Sequence, residues 1–424
     1  GGRFAMAAPA SKPLIVLAVM SNPLKPTLRT QWRQWASTFS AFESGSVSVR
    51  FALGVSFYEP GKDVGEGTLV KGSQMLEHET HGGDLLFVKG REKLPHVGVV
   101  TEKSAAWWAS AASYEPRARW FCKCDDDTLV NLDRLEATLS QLDRERPDSE
   151  VYFGHMKWRG WDVGDRFQAC GGTWGDAAKT MTDILEGGLI DEKKRYPPCP
   201  DAAGPFPYMS GGMVCMSRRL AQRMASDAHF THFLREAQKR NTIGKRCTKP
   251  RECAAQPAET HMWHHEDAGI GYNVFRAVVA GNGSTLYVPV PAHYNDPGII
   301  ERSVPLDAPD EYWSSRAVFV HGIKLPKHFE MTRQRWNLSR PFADLTLQCY
   351  PCDQLAKGSN RHYGHWSWAR VPCAGEEQTP LQTGRFCPVA PAEHFTCCNW
   401  PWVIPKGISA SAASRRRRSR KRPR

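Results

Sequence analysis

The sequence predicts an α/β fold with a mostly parallel central sheet, and three observations lead to that prediction. Short apolar runs with strand-like spacing recur along the chain, helical patterns separate them, and Gly, Pro and Asn mark the changes up to residue 145. Alternation of this kind is typical of βαβ units, in which a crossover helix makes neighbouring strands parallel. With 424 residues, 41% of them hydrophobic, the chain can bury a sizeable core.

The first part of the chain supplies three strands and three helices. Their predicted order is a strand at 13–20, a helix capped by Thr27, a strand at 47–57, a helix at 72–81, a strand at 84–88 and a helix at 102–112. Arg29 and Arg33 lie close to the start of the first helix, where cations oppose the helix dipole. They therefore indicate an anion nearby, with a solvated arginine pair as the alternative.

The segment 119–131 is the most informative stretch of the chain. An alternating strand ends there at three consecutive carboxylates, Asp125, Asp126 and Asp127, and Asn131 is placed to cap the helix that follows. Adjacent carboxylates repel one another, so a fold that keeps them needs a cation close by. Asp125 and Asp127 point the same way on an extended segment and could hold a divalent metal, while Asp126 faces elsewhere. An acidic turn that caps the helix is the alternative.

Aromatic and glycine-rich stretches follow a further strand that begins at 151–153. Trp158, Trp161 and Trp174 predict either a sugar-stacking wall or buried core. The Gly211-Gly212 pair lets the backbone approach a ligand closely, although a tight structural turn is the alternative.

Titratable side chains gather at 261–271, in the run His-Met-Trp-His-His-Glu-Asp-Ala-Gly-Ile-Gly. Such clusters are enriched at sites of chemistry, which makes Glu266 and Asp267 candidates, and a zinc site is the alternative. A strand predicted at 317–320 ends at His321, a position where histidines more often have a structural role.

The cysteines bear on compartment and domain organisation. Thirteen are present, six of them from Cys349 to Cys398, and together with sequons at Asn282 and Asn337 they predict an oxidising, glycosylating compartment. The predicted organisation is a lead-in at 1–12, an α/β domain at 13–341, a Cys-rich module at 342–404 and a basic disordered tail at 405–424. A zinc ribbon is the rival for the Cys-rich module, but the second CxxC that it needs is missing.

The formal charge of +12 is concentrated at the end of the chain, where residues 415–424 carry eight positive charges. The remaining +4 is ordinary, and the sequence has no base-reading motif, so no nucleic-acid partner is expected. A nuclear-localisation signal or a patch for polyanions is the alternative for this tail. No apolar run reaches the length of a membrane span. Any membrane attachment is therefore expected through an N-terminal anchor absent from this chain.

Seven short motifs occur in a set order. They are Leu-Arg-x-x-Trp at 28–32, Glu-x-x-x-x-Asp-Leu at 79–85, Thr-x-Lys at 101–103, Trp-x-x-Lys-x-Asp-Asp-Asp-Thr at 120–128, Pro-Tyr-x-Ser-Gly-Gly at 207–212, Glu-Asp-x-x-x-Gly at 266–271 and Val-His at 320–321. In this order they resemble the β-1,3-glycosyltransferases of glycosyltransferase family 31, the galactosyltransferase and Fringe-like enzymes of the Golgi. The protozoan phosphoglycan β-1,3-galactosyltransferases are a closer branch to consider. An insertion near 247–253 and the Cys-rich region depart from the family pattern, which leaves the acceptor open.

The resemblance implies a GT-A type, Rossmann-like nucleotide-sugar-binding domain. It further implies an inverting, Mn²⁺-dependent enzyme of the Golgi lumen that moves a hexose, galactose above all, from a UDP-sugar to a glycan acceptor in β-1,3 linkage. Residues that match the family's motifs would hold the metal (Asp125, Asp127, His321), contact the nucleotide sugar (Arg29, Lys103, Asp125, Asp126, Gly211, Gly212) and act as base (Asp267, with Glu266 in reserve). A catalytically inactive carbohydrate-binding protein on the same fold is the alternative, and the complete set of acids argues against it.

Overall fold

The computed structural model describes residues 14–57, 77–78, 80–92, 100–162, 202–240, 266–280, 285–289, 292–294, 318–323, 329–330, 332, 348–351 and 395–399. Several sequence predictions concern residues outside these ranges. They are most of the helix at 72–81, Trp174, the insertion near 247–253, the histidines at 261–265 and most of the Cys-rich region.

A nine-stranded sheet organises the described residues. Three short strands form a second, smaller sheet. The twelve strands are β1 (Ile15–Met20), β2 (Val47–Phe57), β3 (Leu85–Glu92), β4 (Trp120–Asp125), β5 (Thr128–Val130), β6 (Glu150–Asp162), β7 (Ala202–Ser217), β8 (Thr285–Pro289), β9 (Ala292–Tyr294), β10 (Phe319–His321), β11 (Gln348–Pro351) and β12 (Phe395–Asn399).

The order of strands in the large sheet is β11-β12-β8-β6-β7-β4-β1-β2-β3. Strands β4, β1, β2 and β3 run parallel, as do β6, β8 and β12. Among the described strands of this large sheet, only the pairings made by β7 and β11 are antiparallel. The predicted α/β class with a mostly parallel central sheet is therefore confirmed. Strands β11 and β12 come from the region predicted as a separate Cys-rich module and extend this sheet, while the domain boundaries themselves stay a prediction.

Seven helices of the described residues accompany the sheet. They are α1 (Pro26–Ala36), α2 (Ser40–Glu43), α3 (Thr101–Tyr114), α4 (Leu132–Glu145), α5 (Arg218–Ser226), α6 (Ala228–Arg240) and α7 (Glu266–Ala280). None of the helices in the described part of the chain is both long and apolar enough to cross a bilayer.

Side-chain alternation along the strands divides the interior into two cores. In β1, Ile15, Leu17 and Val19 join the core beneath α1, α2 and α4, whereas Val16 and Ala18 join the core beneath α3, α5, α6 and α7. This period of two is what an extended strand imposes when both of its faces are covered. The same alternation in β4 decides which of its side chains face α7.

The helix boundaries confirm one predicted cap and correct another. Asn131 caps α4, and its side chain accepts a 3.0 Å hydrogen bond from the backbone N–H of Arg134. The prediction that Thr27 caps the first helix was wrong. The helix begins at Pro26, whose fixed φ suits a first helical position, and Lys25 stands at the cap position without a side-chain cap bond.

Gly271 allows α7 to lie directly against β7. A Cβ atom added at this glycine would overlap the Cβ atom of Tyr208, an approach that no real pair of side chains makes. The glycine of the Glu-Asp-x-x-x-Gly motif therefore has a packing reason. It brings the first turn of α7, which carries Glu266 and Asp267, close to the glycine pair of β7.

Candidate active site

The acid cluster, which consists of Asp125, Asp126 and Asp127, lies at the carboxyl edge of the parallel strands. Met20, the last residue of β1, is in register with Asp125, the last residue of β4. In open α/β sheets this edge is where ligands bind, because loops diverge there and leave a crevice. The chain then makes a short antiparallel ladder with β10, in which Thr128 of β5 lies opposite His321.

That ladder brings together Asp125, Asp127 and His321. It joins Thr128 to His321, which lies 193 residues further along the chain. One candidate ligand atom from each of the three residues lies within 4.8 Å of the other two. The Oδ1 atom of Asp127 is 3.4 Å from Nδ1 of His321, and the hydroxyl of Thr128 is 2.8 Å from the same nitrogen. The backbone carbonyl of Asp127 also accepts hydrogen bonds from the N–H groups of residues 322 and 323. The turn that presents the cluster is therefore held by the strand that supplies the histidine.

Asp126 turns away from this trio. Its carboxylate forms an ion pair of 3.1 Å with Lys25, at the start of α1. Burial raises the pKa of Asp126 above its usual range, and the ammonium group of Lys25 offsets part of that effect. The alternation expected on an extended segment is thus seen, with the first and third acids on one side and the second on the other.

Lys123 is fully buried inside β4, on the same face of the strand as Asp125. Its Nζ atom lies 2.8 Å from each carboxylate oxygen of Glu266, 3.3 Å from Oδ1 of Asp125 and 3.3 Å from the carbonyl oxygen of Gly211. Burial alone would lower the pKa of Lys123, but the carboxylates of Asp125 and Glu266 outweigh it and raise the pKa. The side chain is therefore a buried cation with three different acceptors.

Glu266 and Asp267 have different surroundings although they are neighbours at the start of α7. Glu266 is buried, and its carboxylate accepts from Lys123 and from the hydroxyl of Ser104. Burial raises the pKa of Glu266. Asp267 is only half-buried, and its Oδ2 atom accepts a 3.3 Å hydrogen bond from the backbone N–H of Gly211. Of the two acids, Asp267 is the one with access to an incoming group.

Gly211 leaves room for this arrangement. A Cβ atom at residue 211 would come 3.3 Å from Oε2 of Glu266 and 3.7 Å from Nζ of Lys123. Its backbone contacts Lys123 through the carbonyl and Asp267 through the N–H group. Gly212 is buried next to it in β7.

Arg29 and Lys103, predicted to contact the nucleotide sugar, are both buried and paired with carboxylates of the chain. Arg29 makes a bidentate ion pair with Glu77, at 2.7 and 2.8 Å, and donates to the carbonyl of Asn22 at 2.6 Å. The Nζ atom of Lys103 lies 2.9 Å from Glu92 and also contacts the carbonyl of Ser21. The carboxyl end of β1 is thus lined by both cations, and their nucleotide contacts stay predictions.

The anion that the sequence predicted beside Arg29 and Arg33 is supplied by the protein. Arg33 pairs with Asp84 at 2.7 Å and with Glu77 at 3.0 Å. The hydrogen bond from Arg29 and its charge hold the pKa of Glu77 below the usual range. These four side chains form a balanced cluster of two guanidinium groups and two carboxylates.

A cavity of about 490 Å³ lies away from the acid cluster. It is lined by side chains from α1, α2 and the first half of β2, among them Arg33, Val47 and Arg50. Because β2 is parallel to β1, its first residues lie at the opposite edge from Asp125. The acid cluster and this cavity therefore lie at opposite edges of the sheet.

Sequence reasoning missed the functional environment of Lys123 and Ser104. Lys123 was part of a motif, yet no role was assigned to it. A signal was available, because a lysine between the apolar residues of a core strand must find a buried partner. The disulfide between Cys122 and Cys215, which joins β4 to β7 on the other face, was also not predicted. No spacing rule connects residues so far apart in the chain.

Fold and site together define a class, namely a parallel α/β protein with a candidate divalent-metal site at the ends of its strands. Residues 87–170, which contain β4, the acid cluster and α4, match the family model described as Fringe-like. This match agrees with the family resemblance that the motifs indicated, and it supports a glycosyltransferase. The sheet and the position of the acids agree with the predicted GT-A type.

The solved structures that match this chain include glycosyltransferases, at low TM-scores. One is a glycosyltransferase involved in the glycosylation of the major capsid of PBCV-1, with 12% identity and a TM-score of 0.27 over 76% of this chain and 98% of that one. Another is mouse xyloside xylosyltransferase 1, with 10% identity and a TM-score of 0.31 over 73% of this chain and 97% of that one. A third, mannose-1-phosphate geranyltransferase from Thermus thermophilus, has 11% identity and a TM-score of 0.26 over 59% of this chain and 66% of that one. At these scores the similarities assign no activity to this chain. No curated protein shows significant sequence similarity to it.

Proposed function

We propose that this protein is an inverting, metal-dependent glycosyltransferase that moves a hexose from a UDP-sugar to a hydroxyl group of a glycan acceptor. The observation that carries the proposal is that Asp125, Asp127 and His321 lie close together at the end of β4. The two aspartates belong to the segment that matches a Fringe-like model, and His321 comes from a later strand. Galactose as the sugar and a β-1,3 linkage follow from the motif resemblance alone.

The chemistry of the donor set fits a divalent metal. Two carboxylates and one imidazole offer hard oxygen ligands and one nitrogen, a combination that suits Mn²⁺. Five carboxylates (those of Asp125, Asp126, Asp127, Glu266 and Asp267) share this region with the two ammonium groups of Lys25 and Lys123. The excess of negative charge favours a bound cation. A metal held by these residues would neutralise the diphosphate of the donor and so improve the leaving group.

Asp267 is the proposed base. An acceptor hydroxyl is a weak nucleophile, so a carboxylate must take its proton while the oxygen attacks the anomeric carbon. In that single displacement the new C–O bond forms as the bond from the anomeric carbon to the diphosphate oxygen breaks, and the diphosphate departs with the electron pair. Attack from the opposite face inverts an α-linked donor to a β-linked product. Glu266 is the weaker candidate, because Lys123 and Ser104 already occupy its carboxylate.

The donor would lie along the carboxyl edge between β1 and β4. Lys103 and Arg29 frame the end of β1, and Asp126 lies beside Lys25 at the entrance to α1. Gly211 and Gly212 would leave room for the sugar next to Asp267. In this proposal these residues would border the donor from its nucleotide to the base.

The Golgi lumen is the proposed compartment, with attachment through an N-terminal anchor. The disulfide between Cys122 and Cys215 supports an oxidising environment, because such bonds are rare in the cytosol. The sequons at Asn282 and Asn337 are consistent with the same route.

A UDP-release screen tests the proposal. The purified chain is incubated with a panel of nucleotide sugars and a panel of β-linked disaccharide acceptors, with Mn²⁺ or with EDTA. We expect one donor to give UDP release that the acceptor stimulates. EDTA should abolish this release, and added Mn²⁺ should restore it. Turnover that persists in EDTA would contradict the metal site. Glycan binding without release of any nucleotide would favour the inactive carbohydrate-binding alternative.

A further inference from the structure

The buried ammonium group of Lys123 connects two parts of the site that are far apart in sequence. One part is the acid cluster that ends β4, and the other is the pair of acids that begins α7. In the described part of the chain, Lys123 contacts Asp125 at 3.3 Å and Glu266 at 2.8 Å. The contact with Asp125 lies within β4, whereas the contact with Glu266 crosses from the central sheet to α7.

Gly211 completes the connection. Its carbonyl oxygen accepts a 3.3 Å hydrogen bond from Lys123, and its N–H group donates a 3.3 Å hydrogen bond to Oδ2 of Asp267. Lys123 therefore reaches Asp267 through the backbone of one residue, while it contacts Asp125 directly. A Cβ atom at residue 211 would lie 3.3 Å from Oε2 of Glu266, so the glycine spares that carboxylate a small shift.

Such a buried ion pair is costly for a protein to maintain. Desolvation of a lysine and a glutamate offsets much of their mutual attraction, so a hydrophobic pair of the same volume is often equally stable. The position of Lys123 in a core strand is thus poorly explained by stability. Fixing the relative position of two reactive parts is a use that an apolar pair cannot supply.

We propose that Lys123 is a positioning residue that holds the metal-binding Asp125 and the base Asp267 at a set separation, with Glu266 and Gly211 as its intermediaries. This inference rests on the proposed function. It assigns Glu266 to the support of the site and not to proton transfer. An inward rotation of Asp125 or a small shift of α7 would change the distance between the departing diphosphate and the attacking hydroxyl, and a displacement of about 1 Å can cost roughly 100-fold in rate.

The decisive experiment compares Lys123→Met, Glu266→Gln and the double variant K123M/E266Q, with kcat, the donor KM and the melting temperature measured for each. The single Lys123→Met leaves a buried carboxylate without its cation and should lower the melting temperature. The double variant removes that imbalance and should recover most of the melting temperature. Its kcat should nevertheless stay roughly 100-fold below the wild-type value, with the donor KM within about threefold.

The matched control is the double variant R223M/E150Q. Arg223 and Glu150 form an ion pair of 2.8 Å between α5 and the start of β6, at the opposite edge of the sheet. Loss of this pair should leave kcat within about threefold of wild type. If K123M/E266Q does not fold, Lys123→Gln, assayed at low temperature, replaces it and should show at least about a tenfold loss of kcat at an unchanged donor KM.

Two outcomes would overturn the inference. A double variant, or Lys123→Gln, with a kcat within about threefold of wild type would show that Lys123 only neutralises Glu266. A wild type without any turnover in the UDP-release screen would overturn both this inference and the proposed function. An active wild type with an unimpaired double variant overturns the inference alone.

Discussion

Two groups of charged side chains near the carboxyl end of β1 differ in their charge balance. The balanced cluster contains Arg29, Arg33, Glu77 and Asp84, in which each guanidinium group meets a carboxylate at 2.7 Å. The acidic group consists of the acid cluster together with Glu266 and Asp267, and it has five carboxylates for the ammonium groups of Lys25 and Lys123.

We expect the balanced ion pairs to stabilise the fold and the acidic group to bind a cation. The balanced ion pairs are mostly buried and complete within the protein, so their loss should lower the free energy of unfolding. The acidic group has excess negative charge and partly exposed members, so it requires a further cation. Substitutions in it should therefore weaken cation binding and lower turnover.

Asp127→Ala should have the largest effect on activity. It removes one of the three side chains that meet at the proposed metal site, and we expect transfer to fall by at least about 10³-fold without rescue by added Mn²⁺. Mn²⁺ binding, followed by electron paramagnetic resonance, should weaken in parallel. Asp143→Asn is the control, because that acid on α4 pairs with Arg119 outside the cluster. Mn²⁺-stimulated transfer by Asp127→Ala would place the metal elsewhere.

Asp267→Asn should lower kcat by about 10³-fold while it leaves the donor KM nearly unchanged. The amide keeps the shape of the side chain and cannot take a proton, and general base catalysis contributes about 10²–10⁴-fold. Steady-state kinetics with the preferred donor measure both constants. Glu266→Gln should lower kcat much less, since its carboxylate is engaged by Lys123 and Ser104. If Glu266→Gln were the more severe variant, the roles of the two acids would be reversed.

Arg29→Met should act mainly on stability, because Arg29 belongs to the balanced cluster. It leaves Glu77 without its bidentate partner, and breaking a buried pair costs about 3–5 kcal/mol. Chemical denaturation measures the free energy of unfolding. Arg117→Met is the control, since its pair with Glu115 is exposed and should contribute at most about 1 kcal/mol. An Arg29→Met variant of normal stability with weakened donor binding would move Arg29 from the balanced cluster to the nucleotide site.

The two clusters should respond to pH with opposite signs, and this is the smallest expected effect. The pKa of Glu77 is lowered in the folded protein, so its stabilising contribution is present above about pH 4.5 and is lost as the pH falls through the folded pKa. The pKa of Asp126 is raised by burial, so its ionised form is unfavourable at pH 7 and protonation relieves that cost on acidification.

Substitution at pH 7 measures the sign directly. Glu77→Gln should lower the melting temperature, whereas Asp126→Asn should raise it by about 1–3 °C. Melting curves between about pH 4 and pH 8 should show a flatter acid limb for Glu77→Gln than for wild type. Parallel curves for both variants would mean that neither carboxylate has a shifted pKa.

Local patterns were sufficient for much of the fold. The strand at 47–57 was predicted with the bounds that the structure has, and β4, α4 and the cap at Asn131 were also found. These features depend on side-chain period and on hydrogen bonds within a few residues, which a sequence displays openly. The short strand β5 between the acids and α4 was not predicted, because three residues form a strand only when β10 pairs with them.

Local patterns also showed the residue types of the site, namely the three aspartates at the end of β4, the glycine pair of β7, the acids at the start of α7 and a histidine at a strand end. Which of these side chains meet depends on the folded chain, in which Arg29 pairs with Glu77 and Lys123 pairs with Glu266. Distance along the sequence explains the difference. Strand alternation and helix capping act over a few residues, whereas ion pairs and sheet order depend on segments brought together over 48 to 193 residues of separation.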